Sequence, residues 1–217
     1  MGLFTISFQL IIKSWYLLAP IVFLIIFKSA WFRGLSGEFI ISATTRLFLN
    51  KDKYHIVENV MLYTENGPIQ IDHIIVSIYG VFVVNKKNLK GWIFGNKTQK
   101  IWTQDINDHK YKFQNPLHQN YKHIEALPSL LGLDKQHIHS LVVFLGDCMF
   151  KTEMPDNVIH DEGYIRFIKS KKQPVISEPC VSEILKIIER SQAVPSFNTR
   201  SEYVKNVCQI LSVKSIY

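Results

Sequence analysis

The chain has 217 residues, 47% of them hydrophobic and 20% charged, with eight Pro and ten Gly. These proportions belong to one globular domain, with or without an appendage, and exclude disorder, collagen or coiled coil as the whole-chain answer. Twenty-five Lys and Arg against 18 Asp and Glu leave a formal charge of +7, which favours anionic partners, nucleic acid or an anionic lipid surface, without choosing between them.

From Leu3 to Phe27 the chain is almost wholly apolar, with Lys13 its one charge. A helix of that length, at about 1.5 Å per residue, crosses a hydrocarbon core of about 30 Å with some tilt. Pro20 is tolerated in such a helix, and Trp15, Tyr16 and Trp31 are of the interfacial type. A cleaved signal peptide fits less well: Met1 to Gln9 holds no Lys or Arg, and no small-residue cleavage site follows Phe27. The expectation is a membrane anchor over residues 1–33, with a buried or re-entrant helix as the alternative. Lys28 and Arg33 on its C-terminal side orient it as a single pass at the inner (cytoplasmic) membrane, with the C-terminal domain in the cytoplasm.

Glu38 to Leu49 reads as an amphipathic helix with Ser36 as N-cap and Phe39, Ala43, Leu47 and Phe48 turned inward. His55 to Tyr63 is strand-like and ends at Asn66-Gly67-Pro68. Ile69 to Ser77 and Gly80 to Lys87 form a hairpin about Ile78-Tyr79. Gly91 to Phe94 and Lys100 to Ile106 form a second pair around Gly95-Asn96. Asn115-Pro116 opens a helix that runs to Leu131 and stops at Gly132. His139 to Gly146 is a buried-strand run, Val158 to Ile168 is ambiguous, and Ser182 to Arg190 and Ser201 to Leu211 are closing helices. The fold class is therefore α/β: a mixed sheet flanked by helices. Cys148, Cys180 and Cys208 form no C-x-x-C pair, and three reduced thiols are expected.

The hairpin carries the chemistry. A loop at Ile78-Tyr79 sets Asp72 opposite Asn85 and Gln70 opposite Lys87; a loop one residue later sets Asp72 opposite Lys87. Either register puts all four on one face. A carboxylate inside an apolar strand is costly unless paired. One reading is a half-buried Asp72–Lys87 ion pair. The other is a divalent-metal and phosphate site, with the carboxylate on the metal and the lysine on the phosphate, the hairpin geometry of restriction-type nucleases.

Gly37-Glu38, Gln70-Ile-Asp72-His-Ile, Gly80-Val-Phe-Val-Val-Asn-Lys-Lys-Asn88, Gly91-Trp, Trp102-Thr-Gln104 and Asn115-Pro-Leu-His-Gln-Asn120 together resemble the nuclease-related domain (NERD) family. The resemblance covers Gly34 to Leu145. It implies a PD-(D/E)-x-K restriction-endonuclease-like fold and Mg²⁺-dependent (or Mn²⁺-dependent) DNA cleavage. It implies a NERD core over 34–150 and a C-terminal extension over 151–217 that packs on it. It makes Glu38 and Asp72 metal ligands and Lys87 the catalytic lysine, with Gln70, His73 and Gln119 as supporting residues and Asn115 and Asn120 as positional ones. At Asn85 the family has glutamate. Asparagine keeps one oxygen but loses the charge, and hard cations favour charged oxygens. Asn85 is thus a weakened ligand, and a DNA- or partner-binding module without catalysis is the alternative.

Eight histidines give no chelating spacing; His118 and His123 lie five apart on one helix. Lysines interleave with aromatics from Lys86 to Lys112, which suits nucleic acid, or else Trp92 and Trp102 are cross-strand core partners.

Overall fold

The computed structural model describes residues 41–64, 67–161 and 163–193. The expected anchor, Ser36, Glu38, Phe39 and the last expected helix lie outside them. Among the described residues no helix is long and apolar enough to cross a membrane.

Two sheets and four helices make up the described residues. The first sheet has the order β1-β2-β3-β7-β9, from β1 (Tyr54–Thr64), β2 (Gly67–Ser77), β3 (Gly80–Asn88), β7 (Ile138–Leu145) and β9 (Val158–His160). β1 to β3 form an antiparallel meander, and β7 and β9 continue parallel to β3. The second sheet, β6-β5-β4-β8, comprises β4 (Gly91–Phe94), β5 (Ile101–Ile106), β6 (His109–Gln114) and β8 (Cys148–Phe150). Mixed sheets, the first with helices on both faces, fit the expected fold class.

Helices cover both faces of the first sheet because its central strands are apolar on both. One face is packed by α2 (Pro116–Leu131) and α4 (Glu178–Ala193), through Leu127, Leu131, Ile184 and Ile188 against Ile74, Val76, Val81 and Val83. The other is packed by the helix at 41–48, α1, and by α3 (Gly163–Ser170), through Ile41, Tyr164 and Ile168 against Ile75, Phe82 and Val84. The ambiguous segment thus divides into the short strand β9 and helix α3.

Helix α1 turns a different face inward from the one expected. Ile41, Ser42, Thr45 and Leu49 are buried, whereas Leu47 is 76% and Phe48 47% exposed. The cause is polar: the Tyr164 hydroxyl bonds the Thr45 hydroxyl at 3.1 Å and donates to the Ile41 carbonyl at 3.0 Å, which anchors this face. The thiol expectation is corrected too. Cys148 is free, but Cys180, on the buried side of α4, is disulfide-bonded.

β3 and β7 each lead directly into the second sheet, as β4 and β8, which pair in parallel as their predecessors do. The turn into β4 needs Gly91: its φ is +78°, and a Cβ there would lie 2.2 Å from the Asp105 carbonyl oxygen. Trp102 on β5 joins the two sheets by stacking on Phe144 of β7, with ring centroids 6.1 Å apart. Strand β6, with Lys110, Tyr111 and Lys112 exposed, was not expected; it is an edge strand with little apolar signal.

Asn115 fixes where α2 begins. Its side-chain oxygen accepts from the Leu117 amide at 2.9 Å, and its amide donates to the carbonyls of Asn96 (3.1 Å) and Gln99 (2.7 Å) in the β4–β5 loop. Gly132, left-handed at φ +64°, closes the helix. Asn115→Ala removes the cap and the bonds that tie the helix start to the β4–β5 loop, so it should cost about 2 kcal/mol. Urea unfolding of the variant against the parent measures this.

Candidate active site

The hairpin turns at Ile78-Tyr79, and Ser77 faces Gly80. The first of the two expected registers is therefore the real one, but the β2–β3 ladder stops at His73↔Val84, one pair short of Asp72. The Lys86 amide, which a continued ladder would give to the β2 backbone, instead donates to Asp72 Oδ2 at 2.8 Å. On the other side, the β1 ladder pairs Glu58 with His73 and Val60 with Ile71 and skips Asn59, which has φ +50°. Asp72 thus falls in a gap of both ladders. The alternation of faces slips at the same point: Ile71 packs in the core with Ile74 although they lie an odd three positions apart.

This slip breaks up the four-residue face. Gln70 is exposed. Asn85 is 4% exposed, and its Oδ1 is buried with no hydrogen-bond partner. Lys87 is half-buried, and its ammonium donates to Gln119 Oε1 of α2 at 3.1 Å. Burial holds the Lys87 pKa below the usual lysine value, and the Asp72 carboxylate acts against that shift. A direct Asp72–Lys87 ion pair is thus replaced by two separate hydrogen bonds, Asp72 to Lys86 N and Lys87 to Gln119.

Helix α2 is held over this point by Asn120. Its amide donates to the backbone carbonyl of Val83 at 2.9 Å, to that of Leu141 at 3.3 Å and to Ser140 Oγ at 2.9 Å. Gln119 then meets Lys87 from the adjacent position. One turn on, His123 is 8% exposed, with Nδ1 buried and without a hydrogen-bond partner. Burial lowers its pKa, the Asp72 charge raises it, and the Lys87 charge lowers it further. His123 therefore belongs to the site, which the sequence reading missed. Its spacing from His118 carries no signal, because the charges it interacts with, Asp72 and Lys87, lie on β2 and β3.

His73 lies in the other layer, buried, with Nε2 3.5 Å from Ser42 Oγ of α1. Among the described residues no three His, Cys, Asp or Glu side chains gather as metal ligands. The donor set there does suit a divalent ion in part: a strand-end carboxylate with one oxygen committed, and the orphaned oxygen of Asn85.

The two tryptophans are not core partners. Trp102 is buried and donates from Nε1 to the Asn96 carbonyl at 2.9 Å, while Trp92 stands opposite Asp105 and is 49% exposed, with Lys151 Nζ 4.5 Å from its ring centre. Trp92 and the exposed Lys90, Lys110 and Lys112 leave a basic, partly aromatic surface on the second sheet.

The profile of the nuclease-related domain family matches residues 33–145, more than half of the chain. The chain belongs to the nuclease-related domain family. Asp72, Asn85, Lys87 and Gln119 all fall within the matched span, and the restriction-endonuclease-like superfamily to which NERD domains belong accounts for the mixed sheet. A Bacillus anthracis protein described as uncharacterized is 42% identical over 120 residues. That match covers 55% of this chain and 56% of the relative, so the chain spans little more than half of that protein's length.

A half-buried ammonium with a lowered pKa opposes folding. In the window between its folded pKa and the unfolded value near 10.5, the unfolded chain binds the proton and the folded chain does not, so stability there rises with pH. Lys87→Met, similar in length but uncharged, should therefore melt at or above the parent temperature near neutral pH. The advantage should shrink as pH approaches 10.5. Thermal melts of both proteins from pH 7 upward measure the difference.

Proposed function

We propose that this NERD domain hydrolyses phosphodiester bonds of DNA with a divalent ion, Mg²⁺ or Mn²⁺. The observation that carries the reading is the gathering of Asp72, the orphaned Asn85 oxygen, Lys87 and Gln119 where the β2–β3 ladder ends. Asp72 and Asn85 would hold the ion, with Glu38 added by the family resemblance. Such an ion, when bound, polarises a phosphoryl oxygen and lowers the pKa of a bound water. Asp72 is kept in place by the Lys86 amide. Lys87 is kept in place by Gln119, and as a poorly solvated cation it gains most when a phosphate oxygen approaches. The basic surface around Trp92 and the formal charge of +7 suit a polyanionic substrate.

The reading includes a tether. The apolar run Leu3 to Phe27, with Lys28 and Arg33 on its C-terminal flank, supports anchorage in the cytoplasmic membrane with the domain on the cytoplasmic side. A second reading, a DNA- or partner-binding module that has lost catalysis, is favoured by one feature: Asn85 carries no charge where the family resemblance implies glutamate.

The test is cleavage of linear and circular DNA by the full-length protein in detergent, with Mg²⁺ and with Mn²⁺. Cleavage should fall at least about a hundredfold in Asp72→Asn and Lys87→Ala, and Asn85→Glu should raise the Mg²⁺-supported rate. Cleavage by Asn85→Glu alone would establish the binding module. Cleavage that survives Lys87→Ala would place the chemistry elsewhere.

A further inference from the structure

We infer that His123 is a nitrogen ligand of the ion at this site, so that the donor set is Asp72 oxygen, Asn85 oxygen and His123 Nδ1, and that this set selects a first-row transition ion such as Mn²⁺ or Co²⁺ ahead of Mg²⁺. The inference rests on the metal-dependent reading above.

Three side chains at the site are more than nine-tenths buried and keep a polar atom without a partner: Asn85 through Oδ1, His123 through Nδ1 and Asn120 through Oδ1, of which Asn120 is already fixed to β3 and β7 by its amide. Buried polar atoms in folded proteins are almost always satisfied, so three orphans in one layer point to a missing ligand. Asn85 and His123 sit where the backbone positions them tightly. Asn85 follows the last ladder pair on β3. His123 lies on α2 four residues after Gln119, whose Oε1 holds Lys87, and three after Asn120, whose amide is fixed to the Val83 and Leu141 carbonyls. Positions three and four apart share a helix face, so the imidazole is presented toward the same surface of β3 that Gln119 meets at Lys87 and Asn120 at the Val83 carbonyl. It lies close enough to interact with the charges of both Asp72 and Lys87.

The chemistry then explains how an asparagine is tolerated at position 85. Mg²⁺ binds through oxygen, dehydrates reluctantly and depends on anionic ligands, so loss of a carboxylate weakens it most. Ions later in the first transition row bind imidazole increasingly well, from Mn²⁺ through Co²⁺ to Ni²⁺. A histidine nitrogen restores to those ions what the missing charge removed, and restores little to Mg²⁺.

The experiment is titration calorimetry of the full-length protein in detergent with Mg²⁺, Mn²⁺ and Co²⁺, for the parent, His123→Gln, His123→Asn and Asp72→Asn. Mn²⁺-bound samples are also examined by pulsed electron paramagnetic resonance for coupling to a nitrogen nucleus. The parent should bind Co²⁺ at least about tenfold more tightly than Mg²⁺. Both His123 variants should lose about ten- to a hundredfold in Co²⁺ affinity, change little for Mg²⁺ and lose the nitrogen coupling. A histidine of purely structural importance would weaken all three ions alike and leave the spread between them intact. Unchanged Co²⁺ affinity in both His123 variants, or no nitrogen coupling in the parent, overturns the inference. If cleavage and binding still vanish in Asp72→Asn, the hydrolase reading survives that outcome. If the nitrogen ligand is found but no DNA is cut, the inference stands and the hydrolase reading falls. If the parent binds none of the three ions, both fall.

Discussion

The site depends on one local event, the parting of β2 and β3 after His73 and Val84. Asp72 brings it about by accepting the amide of Lys86 with its side chain, so that a side-chain bond ends the ladder. The amide is satisfied, which keeps the opening from being a defect. The opening is what makes side chains of an otherwise apolar hairpin available for chemistry. Asn59 on β1 matches it from the other side, with a left-handed backbone that an asparagine accepts more readily than most residues.

What lies over the opening is decided by α2. Asn115 ties the start of that helix to the β4–β5 loop, and Asn120 ties its second turn to the carbonyls of β3 and β7. Between these two anchors Gln119 has little freedom, so Lys87 is met by a fixed acceptor. The result is a lysine held away from bulk water without a carboxylate in direct contact. An ammonium in that state is a poor contributor to stability and a good partner for an arriving anion. The second sheet adds the other requirement of a nucleic-acid enzyme, an exposed basic face, while its inner face is fixed to the first sheet by Trp102 on Phe144.

The parts of this arrangement that were legible in the sequence are those set by local rules. A two-residue loop at or next to Ile78-Tyr79 narrowed the hairpin to two registers, and the structure takes the first. Asn115-Pro116 and Gly132 bracketed α2 almost to the residue. Asp72 and Lys87 stood out because charges are rare in apolar strands. The rest depended on partners distant in the chain. The inward face of α1 is set by Tyr164, about 120 residues away, which draws a threonine rather than a leucine into the core. Trp92 and Trp102 look alike in sequence, and only Phe144 distinguishes them. The period-two rule placed Gln70 beside Asp72, and the slip opposite Asn59 undid it. His123 escaped notice because its relevant neighbours are strand residues and not the histidine five positions before it. The expected membrane anchor and Glu38 lie outside the described residues.

Everything proposed for this site turns on whether the gap at Asp72 holds a metal ion. The most direct measurement is an anomalous difference map from crystals of the protein soaked in Mn²⁺. A single strong peak is expected within coordination distance of Asp72 and Asn85 Oδ1, with the Lys86–Asp72 bond retained. A well-diffracting crystal with no peak there, or with an ordered water bridging Asn85 and His123 in its place, would contradict the metal site.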